Sequence, residues 1–296
     1  MKQNENVKNW ITCWNAVNGN VNKKTASDEA EKLWNERAES LVTRFSPTNL
    51  KKDQKRTDEI LNFLAEAGFR AEGAKVLDIG CGPGALSIPL ARAGAKVTSL
   101  DISSKALDHI QAIADSEGLS VQTIANSWWI SNIDKLGFRK KFDLVIASKT
   151  PAVNDVETFD WMMACSRKYC FFSSFFHLGG KRIPAGFQDL YRILNIEPDR
   201  SEQSSQINKP SSFFYPFMYL YLKEYRPQVR ITHMRRKEII NWMDAANHAI
   251  EVIGQSHKIT KTTKEKILAY YEQSAKMGKS HSESDMYTGM MVWKSW

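Results

Sequence analysis

The chain has few of the residue types that mark secreted, metal-binding or membrane-spanning proteins. It has four cysteines in 296 residues, and none has a paired C-x-x-C spacing, so neither a disulfide framework nor a zinc site is expected. No uninterrupted apolar run reaches the length of a membrane span. Residues 1–10 are polar and have no apolar signal core. These absences predict a cytoplasmic protein with no metal and no membrane partner.

The charge balance is mildly basic, and the basic excess lies late in the chain. The sequence has 41 Lys and Arg against 33 Asp and Glu, for a formal net charge of +8. Residues 223–279 hold twelve basic and six acidic residues. They form either solvated helix faces or a surface for an anionic substrate or RNA. Basic residues such as Arg235, Arg236 and Lys237 are interleaved with acidic and apolar ones, so a nucleic-acid partner is not favoured.

The most informative segment is a short apolar strand followed by a cluster of glycines. Residues 76–79 form the strand, and Gly80, Gly82 and Gly84 follow it. Glycine lets the backbone turn tightly and approach a ligand with no Cβ in the way. Residues 85–94 then predict a helix whose N-terminus faces the same ligand. This is the opening of an open α/β sheet, in which ligands lie at the carboxyl ends of the strands.

A dinucleotide-binding fold is the main alternative for this segment. Residues 80–85 satisfy the loose G-x-G-x-x-A pattern, and Asp101 follows about 20 residues on, as that fingerprint requires. Two residues favour a different ligand. Asp78 would repel a pyrophosphate, and Pro83 removes an amide donor from the loop that should hold it. Both suit a ligand that carries an ammonium group and no phosphate.

Three blocks of sequence resemble class I S-adenosylmethionine-dependent methyltransferases over about residues 30–180. Residues 76–84 resemble motif I of that family, residues 97–101 the acidic end of its second strand, and residues 142–148 its strand-4 motif. The resemblance implies S-adenosylmethionine as cofactor. Asp78 would face its amino group directly or through water, and Asp101 would accept from both ribose hydroxyls.

The resemblance also implies the other donor-binding residues. Besides the two aspartates they are Gly80, Gly82, Gly84, Ile102, Asn126, Ser127, Trp128 and Ser148. Asn126 is expected to accept from the adenine amino group, and Trp128 or Trp129 to stack on the adenine ring. Adjacent tryptophans point in different directions, so one of the two is expected in the core.

The expected fold is a doubly wound, mostly parallel seven-stranded sheet with helices on both faces. An N-terminal helical lid (1–50) precedes the donor-binding core (51–180), and residues 181–296 add helical insertions on the substrate side and the final strands. The strands are predicted at residues 75–80, 96–101, 120–125, 142–147, 168–175, 229–232 and 286–293. The helices are predicted at residues 26–45, 57–67, 84–93, 104–117, 130–137, 154–166, 186–196, 212–225, 235–251 and 262–275.

The sequence carries less specific motifs for the residues that would bind the methyl acceptor. After the fourth strand the sequence has Ser148-Lys149-Thr150-Pro151 in place of the Asn/Asp-Pro-Pro-aromatic motif of exocyclic-amine methyltransferases, so adenine or glutamine N-methylation is not the leading interpretation. Lys149 is either a solvated loop residue, a ligand of an anionic substrate or a base. His177, after the fifth strand, is a base, a metal ligand or a hydrogen-bonded structural residue.

Two further features have both a functional and a structural interpretation. Trp34 and Arg37 in the first predicted helix would close over the donor, or Trp34 would only pack on the sheet. The aromatic segment 213–221 would line an apolar substrate pocket or form core.

The sequence therefore predicts an S-adenosylmethionine-dependent methyltransferase that acts on a small molecule by direct in-line transfer. Two alternatives stay open: an RNA methyltransferase that uses the basic C-terminal face, and a noncatalytic donor-binding protein. The sequence does not identify the acceptor or the oligomeric state.

Overall fold

The computed structural model of the chain describes residues 5–18, 28–44, 47–175, 187–196, 213–254, 257–275 and 279–295. Their centre is a mixed sheet of seven strands in the order β3-β2-β1-β4-β5-β7-β6. The strands are β1 Lys75–Ile79, β2 Lys96–Asp101, β3 Val121–Ala125, β4 Phe142–Ser148, β5 Ser166–Phe175, β6 Gln228–Asn241 and β7 Lys279–Lys294. The last strand lies between the fifth and the sixth, and the predicted seven-stranded sheet is confirmed.

Ten α-helices are present in the described residues. They are α1 Glu5–Asn18, α2 Asp28–Arg44, α3 Pro47–Glu66, α4 Ser87–Arg92, α5 Ser104–Glu117, α6 Val156–Cys165, α7 Phe187–Leu194, α8 Phe214–Leu222, α9 Trp242–Gly254 and α10 Lys261–Ser274. A short 3-10 helix covers Trp128–Ile130.

The order of the strands reverses next to β1, which places a crevice at its carboxyl end. β1 pairs in parallel with β2 on one side and with β4 on the other, so that Ile79 lies between Leu100 and Ala147. The connections from these two neighbours lead away in opposite directions. In open α/β sheets the ligand binds at such a switch point, outside the carboxyl ends of the strands.

The central parallel strands β1, β2 and β4 are buried on both faces, as the largely apolar sequences of β1 and β4 predict. On one face Val76, Leu144 and Ile146 pack with residues of α3 and α4. On the other face Phe172 of β5 meets Phe159 of α6 edge to face, with ring centroids 5.9 Å apart. Full burial of such side chains contributes about 1.5–3 kcal/mol each. The glycine turn after β1 is therefore held on a rigid support.

The structure corrects two predicted helices. Residues 130–137 form no α-helix: the 3-10 helix ends at Ile130, and the stretch before β4 consists of turns. The helix predicted at 235–251 is also wrong in its first half, because β6 continues through Asn241 and α9 begins at Trp242. Pairing of β6 with β7 supplies hydrogen bonds that local helix propensity does not anticipate. The helical character predicted for the N-terminal region is confirmed, but no separate helix was predicted at Glu5–Asn18, where α1 lies.

The chain divides into two compact units. The first comprises residues 1–174, 212–230 and 289–296, and the second comprises residues 175–211 and 231–288. The second unit has its own apolar core, in which Leu190, Ile253 and Ile267 are fully buried. The functional division of the chain at residues 50 and 180 stays a prediction.

Within the described ranges, no helix has the length and the apolar content that crossing a lipid bilayer requires. In the same ranges, no three His, Cys, Asp or Glu side chains come together as ligands of a metal would.

Candidate functional site

The three glycines after β1 all have left-handed backbone conformations, with φ of 62° at Gly80, 52° at Gly82 and 88° at Gly84. A Cβ at Gly80 would lie 2.0 Å from Thr150 Oγ1, in the loop after β4, and one at Gly84 would lie 2.8 Å from Ile110 Cγ1 of α5. A Cβ at Gly82 would meet nothing within 4 Å. Gly80 and Gly84 thus allow close packing, whereas Gly82 borders open space where a ligand can lie.

The backbone amides of this turn are already used within the protein. Four of them donate to internal acceptors: Gly80 and Cys81 to the Leu100 carbonyl oxygen (2.7 and 3.2 Å), Gly82 to Asp101 Oδ2 (2.8 Å) and Gly84 to the Cys81 carbonyl oxygen (3.2 Å). The fifth residue, Pro83, has no N–H. Residues 80–84 therefore present no amide to a phosphate, unlike the dinucleotide-binding turn that shares their spacing.

Asp101 ends β2 with a fixed carboxylate beside this open space. The residue is 9% exposed. Its Oδ2 accepts from the Gly82 N–H, and its Oδ1 accepts from the Ser103 N–H at 2.9 Å. Burial raises the pKa of Asp101, and the two amides oppose that rise. Two carboxylate oxygens held in one orientation can each accept one hydroxyl of a vicinal diol.

Asp78 is a second buried carboxylate, near the end of β1. It is 2% exposed, and its Oδ2 accepts from the Ser87 hydroxyl at 2.7 Å. The Ser99 hydroxyl donates in turn to Ser87 Oγ at 2.8 Å. Burial, with a smaller contribution from the charge of Asp101, raises the pKa of Asp78 to about 6, and the hydrogen bonds from Ser87 oppose that rise. At neutral pH Asp78 is therefore mostly ionised, and with the neighbouring carboxyl group of Asp101 it makes the site favour a cationic ligand and disfavour a phosphate.

Three further predicted donor residues lie at the neighbouring strand ends. Ile102 follows Asp101 and is half-buried. Asn126, after β3, is also half-buried, and its N–H donates to the Asp101 carbonyl oxygen at 2.9 Å. Ser127 is buried, and its hydroxyl has no hydrogen-bond partner in the part of the chain that the structure describes. The strand register therefore brings these residues to the same sheet edge as Asp101.

The two adjacent tryptophans differ, as expected. Trp128 is the core residue: it is 2% exposed, its indole N–H donates to the Thr158 carbonyl oxygen at 3.1 Å, and its ring meets Trp161 edge to face. Trp129 is half-buried and donates to the Pro151 carbonyl oxygen at 3.1 Å. Trp129 is thus tied to the loop after β4, and the indole of Trp128 is occupied in the core.

The loop after β4 brings polar groups close to the glycine turn. Ser148 Oγ lies 2.8 Å from Ser173 Oγ, at paired positions of β4 and β5. Lys149 is half-buried, has a φ of 51°, and donates its backbone N–H to the Ser173 carbonyl oxygen at 2.8 Å. A lysine in this left-handed region costs about 1–2 kcal/mol. Such strain at the edge of a site is typical of functional residues.

The aromatic segment 213–221 is mostly core. Tyr215 and Tyr219 are buried and pack on Trp14 of α1, with ring centroids 6.3 and 5.7 Å from it. The Trp14 indole N–H donates to the Asn154 carbonyl oxygen at 2.9 Å, in the loop that leads from Lys149 to α6. The sequence analysis missed α1, although tryptophans at positions 10 and 14, one helical turn apart, were a signal for it. His177 lies outside the described residues.

In α2 the pair Trp34 and Arg37 interacts within the helix, with the Arg37 guanidinium carbon 4.8 Å from the Trp34 ring centroid. The residue that connects α2 to the site is Asn35, which sequence reasoning did not select. Its Oδ1 accepts from the Ser103 hydroxyl at 2.8 Å.

Comparison with known proteins agrees with this geometry. Residues 76–168 match the family described as "Methyltransferase domain". An uncharacterized protein of Haemophilus influenzae is 35% identical over 100 residues, which are 33% of this chain and 36% of that protein. A ubiquinone biosynthesis O-methyltransferase of Rhizobium leguminosarum is 33% identical over 125 residues, 42% of this chain and 47% of that protein. Each alignment therefore covers less than half of the relative's own length.

Among solved structures, the magnesium protoporphyrin IX methyltransferase of Synechocystis with bound S-adenosylhomocysteine is 16% identical, with a TM-score of 0.49 over 93% of this chain and 100% of that one. The family match coincides with the strands that carry Asp78 and Asp101 and with β4. Residues 76–168, which include the glycine turn, therefore form the part of the chain that is similar to a methyltransferase domain.

Proposed function

We propose that the protein binds S-adenosylmethionine at the turn after β1 and transfers its methyl group to a small-molecule acceptor by in-line displacement. The observation that carries the proposal is the combination of Asp78 and Asp101 with a glycine turn whose amides are all used internally. A phosphate bound here would have no amide donor from the turn, and the carboxylates of Asp78 and Asp101 would repel it. At about 4 Å and an effective dielectric constant of 20, each like-charge pair costs about 4 kcal/mol.

The donor fits the groups around this turn. Its ribose diol matches the two fixed oxygens of Asp101, and its ammonium group and sulfonium balance the two carboxylates. The open space beside Gly82 suits the carboxypropyl chain, because no Cβ intrudes there. The adenine would lie at the end of β3, between the backbone of Ile102 and that of residues 126–128. Here the Ser127 hydroxyl, which has no partner in the described structure, would find one.

The bound donor supplies a methyl carbon that is already activated by its sulfonium. The acceptor's lone pair forms the new bond to that carbon as the carbon–sulfur bond breaks, and the electron pair of that bond stays on sulfur. The protein needs no covalent nucleophile. Its tasks are to align the acceptor with the methyl group and to exclude water.

Residues after β4 and β5 would hold the acceptor. Thr150 lies against the Gly80 turn, so we expect the preceding Ser148 and Lys149 to border the crevice next to the donor. Lys149 would bind an anionic group of the acceptor or take its proton, and the paired Ser148 and Ser173 hydroxyls would orient it. His177 remains a candidate base. The names of the relatives, among them ubiquinone biosynthesis O-methyltransferases, support a small-molecule acceptor.

The test compares ligands by thermal unfolding. S-adenosylhomocysteine is expected to raise the melting temperature, whereas NAD and NADP are not, because only a ligand of the native state stabilises it. Asp101→Ala should lose most of this shift. The matched control is Asp115→Ala, an exposed carboxylate on α5, which should keep it. An equal shift with NAD would refute the donor assignment.

A further inference from the structure

A chain of hydrogen bonds joins helix α2 to the carboxylate at the end of β2. Asn35 Oδ1 accepts from the Ser103 hydroxyl at 2.8 Å and from the backbone N–H of Lys105 at 3.3 Å. The Ser103 N–H donates to Asp101 Oδ1 at 2.9 Å. A single residue, Ser103, therefore links Asn35 to Asp101, the residue proposed to bind the donor ribose.

Asn35 also completes the start of α5 from a distant part of the chain. The first N–H groups of a helix have no acceptor within it. Ser103 is the N-cap of α5 and accepts from the Ala106 N–H at 3.2 Å, while Asn35 accepts from Lys105, one residue earlier. Two side chains from separate segments thus fix the helix that begins directly after Asp101.

Burial makes this arrangement sensitive to the loss of Asn35. Ser103 is 2% exposed, so its hydroxyl cannot turn freely to water. Without the Asn35 oxygen, the Ser103 hydroxyl has to rotate to find another acceptor, because an unsatisfied buried donor is costly. Such a rotation disturbs both the cap of α5 and the backbone that orients Asp101.

The described side chains of α2 are mostly exposed around Asn35. Among residues 30–38 only Ala38 is buried, and 46% of Leu33 is exposed. The Arg37 side chain stacks on Trp34 of the same helix. The polar contact at Asn35 is therefore an important attachment of α2 to the site.

We propose that Asn35 is a positioning residue of the donor site, which holds Ser103 and, through Ser103, the orientation of the Asp101 carboxylate. The proposal rests on the proposed function, because it takes Asp101 as the ligand of the donor ribose. It makes the affinity for the donor depend on a side chain of helix α2 that does not touch the donor.

The experiment measures S-adenosylhomocysteine affinity by titration calorimetry on the full chain. Asn35→Ala is expected to weaken binding about tenfold. Asn35→Asp keeps an oxygen for Ser103 and Lys105 and should remain within about threefold of the wild type. The matched control is Glu36→Ala, the exposed neighbour on the same helix, which should bind like the wild type.

Measuring the same substitution in a protein that already carries a change at Asp101 shows whether Asn35 acts through Asp101. In an Asp101→Asn protein, the additional Asn35→Ala change should cost less than about twofold in affinity, since coupled residues are not additive. Unchanged binding by Asn35→Ala in the wild-type background, or an equal tenfold loss in both backgrounds, would overturn the proposal. If the wild type itself fails to bind S-adenosylhomocysteine, the donor assignment fails and not the role of Asn35 alone.

Discussion

Replacing Asp78 with asparagine is expected to stabilise the ligand-free protein at neutral pH. The Asp78 carboxylate is 2% exposed, and burial raises its pKa from 3.8 to about 6. A shift of about two pKa units means that the ionised carboxylate costs the folded state about 3 kcal/mol relative to the unfolded chain. Asparagine still offers an oxygen to the Ser87 hydroxyl and carries no charge, so it removes most of that cost.

The pH dependence of this effect distinguishes it from a change in packing. Below pH 3.8 the carboxyl group is protonated in both states, and the cost is absent. As the pH rises from 3.8 to about 6, the unfolded chain loses its proton first, so the stability contributed by Asp78 is lost. The advantage of Asp78→Asn should therefore grow from about 1.5 kcal/mol at pH 5 to about 3 kcal/mol at pH 7.5.

Urea unfolding followed by tryptophan fluorescence at several pH values measures this difference. Asp115→Asn, at an exposed carboxylate on α5, serves as control and should show no such trend. An Asp78→Asn protein that is less stable than the wild type at pH 7.5, or an advantage that does not change with pH, would refute the reasoning. The same variant should bind S-adenosylhomocysteine more weakly, and its affinity should lose the rise between pH 5 and 7 that ionisation of Asp78 gives the wild type.

Three further predictions concern the other parts of the site. Gly82→Val should abolish S-adenosylhomocysteine binding, because Gly82 borders the donor. Its stability loss should resemble that of Gly118→Val, since both glycines have positive φ and open space at Cβ. Retained binding in calorimetry would place the donor elsewhere. Lys149→Gly should relieve the left-handed strain and raise stability by about 1 kcal/mol, while it lowers turnover of the acceptor and keeps donor affinity within about threefold; undiminished turnover would exclude Lys149 from the acceptor site. Mixed-sequence RNA should not bind in a salt-sensitive manner, and a filter-binding assay that shows such binding would favour an RNA acceptor.

The elements around the donor site were predictable because their signals are local. β1, β2 and β4 are short apolar segments with acidic residues and glycines at fixed positions, so both the strands and the sheet edge follow from the sequence. For α1 the only local signal was the one-turn spacing of Trp10 and Trp14, and the contacts of these tryptophans with Tyr215 and Tyr219, 205 positions later, could not be anticipated. Asn35 was missed for the same reason: its partner Ser103 is 68 residues away.

Two other features depended on information that the sequence alone does not hold. The sequence predicted that one ring of the adjacent pair Trp128 and Trp129 is buried, but only the structure shows that it is Trp128. The stretch before Trp242 carries a helix-like mixture of charged and apolar residues, and only its pairing with β7 makes it a strand.

The position of α1 has a consequence for synthesis on the ribosome. The Trp10 indole N–H donates to the Tyr215 carbonyl oxygen, so this contact cannot form until residue 215 has been synthesised. At about 5–20 residues per second, that delay is roughly 10–40 s. During this time Trp10 has to remain without its native partner, and a nascent chain that stalls before residue 215 leaves that tryptophan available to chaperones or to aggregation.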